Sequence, residues 1–449
     1  MINGYDIAYA LGVGISSPYW LMKGSARRKV FGAFSSRLGV TSTRDLSLPA
    51  LMIHAVSLGE INATRSLVQM LKSAKPDLQF IISTTTETGF ARAQELYGLV
   101  PDMTIVRYPL DFSPAVNRLL DSLRPTAVAL MELELWPNFL KACEKRGVPV
   151  VLVNGRLSDH SFDRYQLVRP LVARMLKRLA AICVQEQVYA DRVLYLGALP
   201  ERVAVTGTMK FDTAQVVDRI EGDEALATAV GLWPGAEPIW VCGSTGPGEE
   251  TILLDVYRAL LERFSRLRLV IVPRKPERFD AVAKLIESHK FRVIRRSNPG
   301  YVPPNSPIPA VILGDTMGEL RKFYSLASIV FVGRSIVDLG PRQRGSDMIE
   351  PAALARPIVV GQWTHNFAEP VKKLLAAEAM LVAPDGEALF DAMTVLLSTP
   401  LEAASMARRA REVVVREQGA TLKHARLILR ALERGVSGSP LATTIASPA

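Results

Sequence analysis

Cysteine is scarce in this chain of 449 residues: Cys143, Cys183 and Cys242 stand alone in apolar surroundings. There is no CxxC pair or Cys/His spacing, and the five histidines are scattered, so neither a disulfide framework nor a metal site is indicated. The cysteines read as small core residues in a reducing compartment. Aromatics are modest at 7%, and no basic run interleaves with them, which argues against nucleic acid as a partner. No apolar run reaches the roughly 20 residues of a spanning helix, and no small-residue cleavage site marks a secretory signal. The Gly-Lys-Thr of a Walker loop and the glycine spacing of a dinucleotide loop are missing as well.

What is present points elsewhere. The length suits two or more domains, and 49% hydrophobic residues allow a large buried core. Lys and Arg total 54 against 44 for Asp and Glu, a net charge of +10. That surplus suits an anionic partner, either an acidic membrane face or a phosphorylated substrate. At the N-terminus, residues 7–15 are mostly apolar, Ser16, Ser17 and Pro18 break the run, and Tyr19, Trp20, Lys23, Arg27, Arg28 and Lys29 follow. Residues 1–29 read either as an interfacial membrane anchor or as an ordinary buried first helix.

From there the chain alternates short apolar runs with longer helical patterns. Strands are predicted at 51–57, 79–84, 103–108, 127–131, 149–154, 181–185 and 203–206. A second series is predicted at 239–242, 267–272, 291–295, 310–313, 329–332, 358–360 and 380–382. Helices are predicted at 61–74, 114–122, 166–179 and 189–196. The charged stretch 210–236, with Trp233, Pro234 and Gly235, reads as an interdomain connection. The repetition implies α/β architecture: two Rossmann-like doubly wound domains in series, at 30–215 and 216–434, facing each other across a cleft. Residues 435–449 read as a small, polar, disordered tail.

The polar residues gather at strand ends, where open α/β sheets bind ligands. Glu60 opens a helix after the first strand. A carboxylate there either answers the helix dipole or takes a proton from an attacking hydroxyl. Glu132 and Glu134, two apart at a strand end, point the same way if the strand continues. They read as a charged rim or as partnered functional groups. Lys210 emerges at the end of the last strand of the first half, where a cation either is solvated or steadies a phosphate leaving group. Residues 243–250 form a Gly-rich turn feeding a helix, a weak anion signal. Arg274 after Pro273 can bond a phosphate, and the backbone around Met317 can read a base edge. Glu350 can hold ribose hydroxyls, with Asp347 as a helix cap. Singly each is as well explained by structure; together they converge on sheet edges.

These motifs, taken in order, resemble the 3-deoxy-D-manno-octulosonic-acid (Kdo) transferases, glycosyltransferases of the GT-B type. The resemblance runs from about His54 to Phe367, through the stretches 54–60, 83–89, 131–138, 154–158, 206–212, 243–250, 273–279, 314–320, 350–353 and 364–369. It implies inverting transfer of Kdo from CMP-Kdo to an anionic lipid A precursor, without metal or cofactor, at the cytoplasmic face of the inner membrane. By position it implies Glu60 as general base, and Glu132 and Lys210 as transition-state stabilisers. It implies Pro273, Arg274, Met317, Gly318, Glu319 and Glu350 as donor contacts, with 30–215 binding acceptor and 216–434 binding the CMP-sugar. The apolar and basic N-terminal segment falls where the family keeps its membrane anchor.

One region departs. The family usually reads Gly-Gly-Ser, then Gly-Gly-His-Asn-Pro-Leu-Glu-Pro. Here Gly333, Arg334 and Ser335 have one glycine fewer, the run from Gly340 to Pro351 is longer, and Asp347 stands where Asn is expected. A carboxylate at that place repels the donor phosphate unless Arg342 or Arg344 compensates. The altered loop keeps two other readings open: a transferase using another CMP-activated acidic sugar or acceptor, and a non-catalytic nucleotide-sugar or lipid binder. Oligomeric state is not legible.

The N-terminal pattern has a direct test. Deleting residues 1–29 is expected to reduce sedimentation with anionic liposomes at low salt while the remainder stays folded. Unchanged sedimentation would show that these residues do not hold a membrane.

Overall fold

The computed structural model describes residues 3–7, 9–12, 34–41, 44, 46–300, 309–340 and 343–437. Tyr19, Trp20 and the basic cluster at 23–29, on which the anchor reading rests, lie outside the described residues, as do 438–449 of the tail. No described helix is long and apolar enough to cross a membrane. The chain divides into two compact units, Met1–Thr213 with Gln418–Ala449, and Ala214–Glu417.

In the first unit, seven parallel strands form one sheet: β1 (Ala50–His54), β2 (Gln79–Thr84), β3 (Met103–Arg107), β4 (Ala127–Met131), β5 (Val150–Gly155), β6 (Ala181–Val184) and β7 (Val203–Val205). Their order is β3-β2-β1-β4-β5-β6-β7, so the chain reverses direction across the sheet between β1 and β4. Helices cover both faces, and β1 is buried at every position, as expected of a parallel strand inside a doubly wound sheet. Successive side chains feed opposite cores: Met52 packs with Val128 and Leu152 on one face, Leu51 and Ile53 with Ala129 and Val151 on the other.

The second unit repeats the plan. Its strands are β8 (Ile239–Thr245), β9 (Arg268–Pro273), β10 (Arg292–Arg295), β11 (Ala310–Leu313), β12 (Ile329–Val332), β13 (Ile358–Val360) and β14 (Leu381–Val382). All pair in parallel in the order β10-β11-β9-β8-β12-β13-β14, with the reversal between β8 and β12. The expected α/β class and its two doubly wound sheets are observed.

Four expectations are corrected. The stretch 210–236, read as an interdomain connection, does contain the junction of the two units, between Thr213 and Ala214, but from Ala214 on it is folded into the second unit. It carries the helix Asp223–Val230, and the buried Asp223 takes two bonds from Arg219, at 2.7 and 2.9 Å, and one from Ser325. The helix expected at 166–179 is two, Asp159–Leu167 and Arg169–Leu176. Pro170, in the first turn of the second helix, has no N–H to continue the first. The first strand stops at His54, because Ser57 caps the following helix Leu58–Ala74.

The fourth correction concerns the domain boundary at 216–434. The last helix, Ala420–Ser437, belongs to the first unit. Ala425, Ile428 and Leu432 pack with Ala129, Met131 and Val153 on one face of the first sheet. Gly435 lies so close to β4 that a Cβ there would stand 2.2 Å from Thr126 O. His424, on the same helix, is fully buried: its Nδ1 lies 2.6 Å from Ala420 O, and its Nε2 accepts from Asn154 N at 2.9 Å.

Burial pushes His424 down to about 4 and His54, packed on Tyr108 in the same unit, down to about 3. Both stay neutral when folded, whereas the unfolded chain protonates them below about 6.5. Their contribution to stability is therefore complete above pH 6.5. It falls with pH by up to about 1.4 kcal/mol per unit for each, until the folded values are reached. His424→Gln, which keeps an acceptor for Asn154 N, is expected to flatten this decline between pH 6.5 and 4 in urea unfolding of the first unit. Identical pH slopes for variant and parent would remove His424 from the account.

Candidate active site

The first unit's candidate residues surround the β1/β4 reversal. Ser57 and Glu60 form a capping box: Ser57 Oγ accepts from Glu60 N at 3.3 Å, and Glu60 Oε1 accepts from Ser57 N at 3.1 Å. Glu60 Oε2 accepts from Val56 N at 2.9 Å. Only 9% of Glu60 is exposed, and two backbone amides hold its carboxylate in place. The stretch 83–89 braces this turn from behind: Thr86 Oγ1 donates to Val56 O at 2.7 Å and accepts from Gly89 N at 3.1 Å. His54, by contrast, lies in the core, its Nδ1 3.2 Å from Ser83 Oγ.

Glu132 is the first residue beyond β4. Its N–H still donates to Val153 O at 3.0 Å, but its backbone is left-handed, φ 55°. The strand therefore ends before Glu132, and the expected alternation of Glu132 and Glu134 on one strand does not occur. Electrostatics brings them together all the same. Burial, then the charge of Glu60, raises the Glu132 carboxyl; Arg156 and Lys210 oppose the rise. Burial, then Glu60, also lifts Glu134 to about 7, against a 3.2 Å bond from Trp136 Nε1 to Glu134 Oε2. Three carboxylates thus share one corner with two cations.

Lys210 is fixed from both sides. Met209 N donates to Asn154 Oδ1 at 3.1 Å, and Thr213 Oγ1 donates to Lys210 O at 2.8 Å. Asp212 accepts from Gly419 N at 2.6 Å and Thr421 N at 2.5 Å, tying the Lys210 loop to the start of the last helix. Asn154 has a left-handed backbone, φ 55°, and its amide is the one that bonds His424. The last helix thereby braces the segments carrying Arg156 and Lys210.

In the second unit the organising group is Glu249, with none of its surface exposed. Oε1 accepts from Ser335 N and Ile336 N at 2.7 and 3.1 Å; Oε2 accepts from Gly246 N and Arg334 N at 2.7 and 2.6 Å. It binds the turn after β8 to the turn after β12. Beside it, Glu250 pairs with Arg278 at 2.7 and 2.8 Å and accepts from Thr245 Oγ1 at 2.7 Å. Pro273 ends β9 against Thr245, and Arg274 N donates to Thr245 O at 3.1 Å.

Arg274, Asp347 and Glu350 meet around Tyr324, whose buried hydroxyl has no hydrogen-bond partner among the described residues. Burial, then Asp347, raises Glu350 to about 7; Arg321 and Arg274 oppose the rise. Asp347 Oδ1 accepts from Ile349 N at 2.8 Å, a helix-capping contact. Met317 is 66% exposed, and Gly318 has φ 84°. Glu319 is engaged locally, by Thr316 Oγ1 at 2.5 Å and Arg296 at 3.0 and 3.1 Å. Arg344 does not pair with Asp347: it bonds Asp338 at 2.8 and 2.9 Å and stacks over Trp363. Arg342 lies outside the described residues.

Sequence reasoning did not single out Arg156, noted Arg334 only as a lost glycine, and left Glu134 outside the implied site. Arg156 lies within the noted stretch 154–158, but only the turn after β5 shows that its charge reaches Glu132.

Two doubly wound sheets in series make this an α/β protein of the GT-B glycosyltransferase fold. A glycosyltransferase from Rickettsia africae shares that fold at 15% identity and TM-score 0.54, over 88% of this chain and 100% of the other. The model of the 3-deoxy-D-manno-octulosonic-acid transferase (kdotransferase) family matches residues 32–213. The 3-deoxy-D-manno-octulosonic acid transferase of Haemophilus influenzae is 34% identical over 388 residues, covering 86% of this chain and 88% of that one. Its counterpart in Bordetella pertussis is 31% identical, covering 91% and 95%. The chain belongs to the Kdo transferase family.

The Glu249 clamp makes a prediction about stability. Glu249→Gln keeps the size but replaces one acceptor oxygen with a donor facing amide N–H groups. The second unit is expected to lose about 3 kcal/mol, the scale of charged hydrogen bonds broken in a buried place, read by urea unfolding. An unchanged midpoint would contradict the clamp.

Proposed function

We propose that this chain transfers Kdo from CMP-Kdo to a lipid A precursor in lipopolysaccharide synthesis, with inversion and without a metal ion. The reading places it peripherally at the cytoplasmic face of the inner membrane. Membership of the Kdo transferase family supports it, and the observation that carries it is the cluster of Glu60, Glu132 and Glu134 with Arg156 and Lys210 at the first sheet's carboxyl edge. In this reading the first unit receives the acceptor and the second the CMP-sugar, through Pro273, Arg274, Met317, Gly318, Glu319, Asp347 and Glu350.

The chemistry follows from the charges. An acceptor hydroxyl gives its proton to Glu60 as its oxygen bonds the anomeric carbon of Kdo. The bond from that carbon to the phosphate oxygen breaks, and CMP leaves with the electron pair. Positive charge building on the sugar is met by the Glu132 carboxylate, which Arg156 and Lys210 help keep ionised despite burial. In this reading Lys210 also steadies the phosphate as CMP departs, the part that a metal ion plays in other transferases.

Incubation with CMP-Kdo and lipid A precursor in the presence of EDTA, followed by mass spectrometry, tests the reading and counts the Kdo units added. Product formed only with another CMP-activated acidic sugar, or binding with no product, would replace it with one of the two other readings. Glu60→Gln is expected to lower turnover about 100-fold or more, the usual scale for loss of a general base, with CMP binding retained. Near-normal turnover would reject Glu60 as the base.

A further inference from the structure

The second sheet reverses between β8 and β12, and ligands of doubly wound sheets bind outside the carboxyl ends at such a reversal. Gly333 and Arg334 are the first residues past β12. The two turns touch there: a Cβ on Gly333 would stand 2.7 Å from Thr245 Cα. Glu249 fixes the Arg334 amide at 2.6 Å. The guanidinium is fixed as well, Nε donating to Ser346 Oγ at 3.1 Å and Nη2 to Gly345 O at 3.0 Å.

Three observations ask for an anion at this place. Burial, then the nearby charge of Arg274, lowers the Arg334 guanidinium from its ordinary range, and Glu249 opposes the fall. Among the described residues, neither arginine has a carboxylate within ion-pair distance, although most neighbouring arginines do: Arg278 has Glu250, Arg296 has Glu319 and Arg344 has Asp338. Arg334 also holds a left-handed backbone, φ 57°. Glycine adopts that conformation freely, whereas a side chain there costs about 1–2 kcal/mol. An arginine is thus kept, against its conformational preference, next to a like charge.

We propose that Arg334 is an anion-binding residue of the donor site, forming with Arg274 a two-guanidinium clamp for the phosphate or the sugar carboxylate of a CMP-activated acidic sugar. The proposal rests on the CMP-sugar reading of the second unit. It also accounts for the acidic Asp347 in this loop: the added cation lies at Arg334, while Arg344 is engaged by Asp338.

The test is Arg334→Gly in the full chain. This variant removes the cation and relieves the backbone, so thermal stability is expected to be equal or higher. Calorimetry with cytidine, CMP and CMP-Kdo then reads the charge. CMP and CMP-Kdo are expected to bind about tenfold or more weakly, the scale of a charged hydrogen bond, with cytidine unchanged. Weakening of CMP-Kdo alone assigns the guanidinium to the sugar carboxylate; weakening of CMP as well assigns it to the phosphate. Equal affinity of variant and parent for both overturns the proposal and leaves the donor reading standing. A parent that binds neither CMP nor CMP-Kdo overturns both.

Discussion

A carboxylate that captures backbone amides at the opening of a helix organises the business edge of each unit. Burying a carboxylate is costly unless hydrogen bonds replace its water. Glu60 meets that condition with two amides, and Glu249 with four. Each bridges backbone segments that would otherwise end as loose turns. Glu60 fixes the Val56–Ser57 turn after β1. Glu249 welds the turn after β8 to the one after β12, across the reversal of the second sheet. Both neighbouring backbones are unusual: Ser244 and Arg334 are left-handed, as is Glu132 beyond β4. Such conformations persist where surrounding bonds over-determine them, and Glu249 supplies one such bond, to the Arg334 amide.

Much of this was legible in the sequence, for a definite reason. Strands buried on both faces read as short continuous apolar runs, and a strand lies at every predicted position. The errors arose where packing partners decide. The helix Ala420–Ser437 carries an apolar face that suits any sheet. Only the seating of Ile428 and Leu432 against Ala129 and Val153 assigns it to the first unit. The charged stretch 210–236 read as a connection, and the junction lies within it, yet its greater part is folded: Asp223 is buried with Arg219 and Ser325 as partners. Glu132 and Glu134 looked like a strand face because sequence gives no warning of a left-handed residue that is not glycine.

The candidate site divides along the same line. Glu60, Glu132 and Lys210 could be singled out because each follows a strand, and the structure places them in one electrostatic field. Arg156 also follows a strand, but its relevance depends on Asn154, which turns the chain left-handed and bonds both Met209 and His424. That turn joins three segments far apart in sequence. No spacing rule encodes it.

The two edges differ in which charged groups stand without an ion pair among the described residues, and the difference fits the proposed division of labour. The first unit concentrates Glu60, Glu132 and Glu134 with fewer cations than carboxylates, and burial holds two of the carboxyls above their ordinary range. Carboxyls gathered in one field, two of them raised by burial, suit a place where an acceptor hydroxyl must lose a proton. Among the described residues of the second unit, Arg274 and Arg334 have no carboxylate within ion-pair distance, and Arg321 lies 3.9 Å from Glu350. Guanidinium groups held at a sheet reversal suit phosphate and carboxylate alike. A CMP-activated acidic sugar carries both groups, whereas a neutral nucleotide sugar carries only phosphate. Under the proposed reading the arginine pair would favour donors with an acidic sugar, from a position where glycine would suit the backbone better.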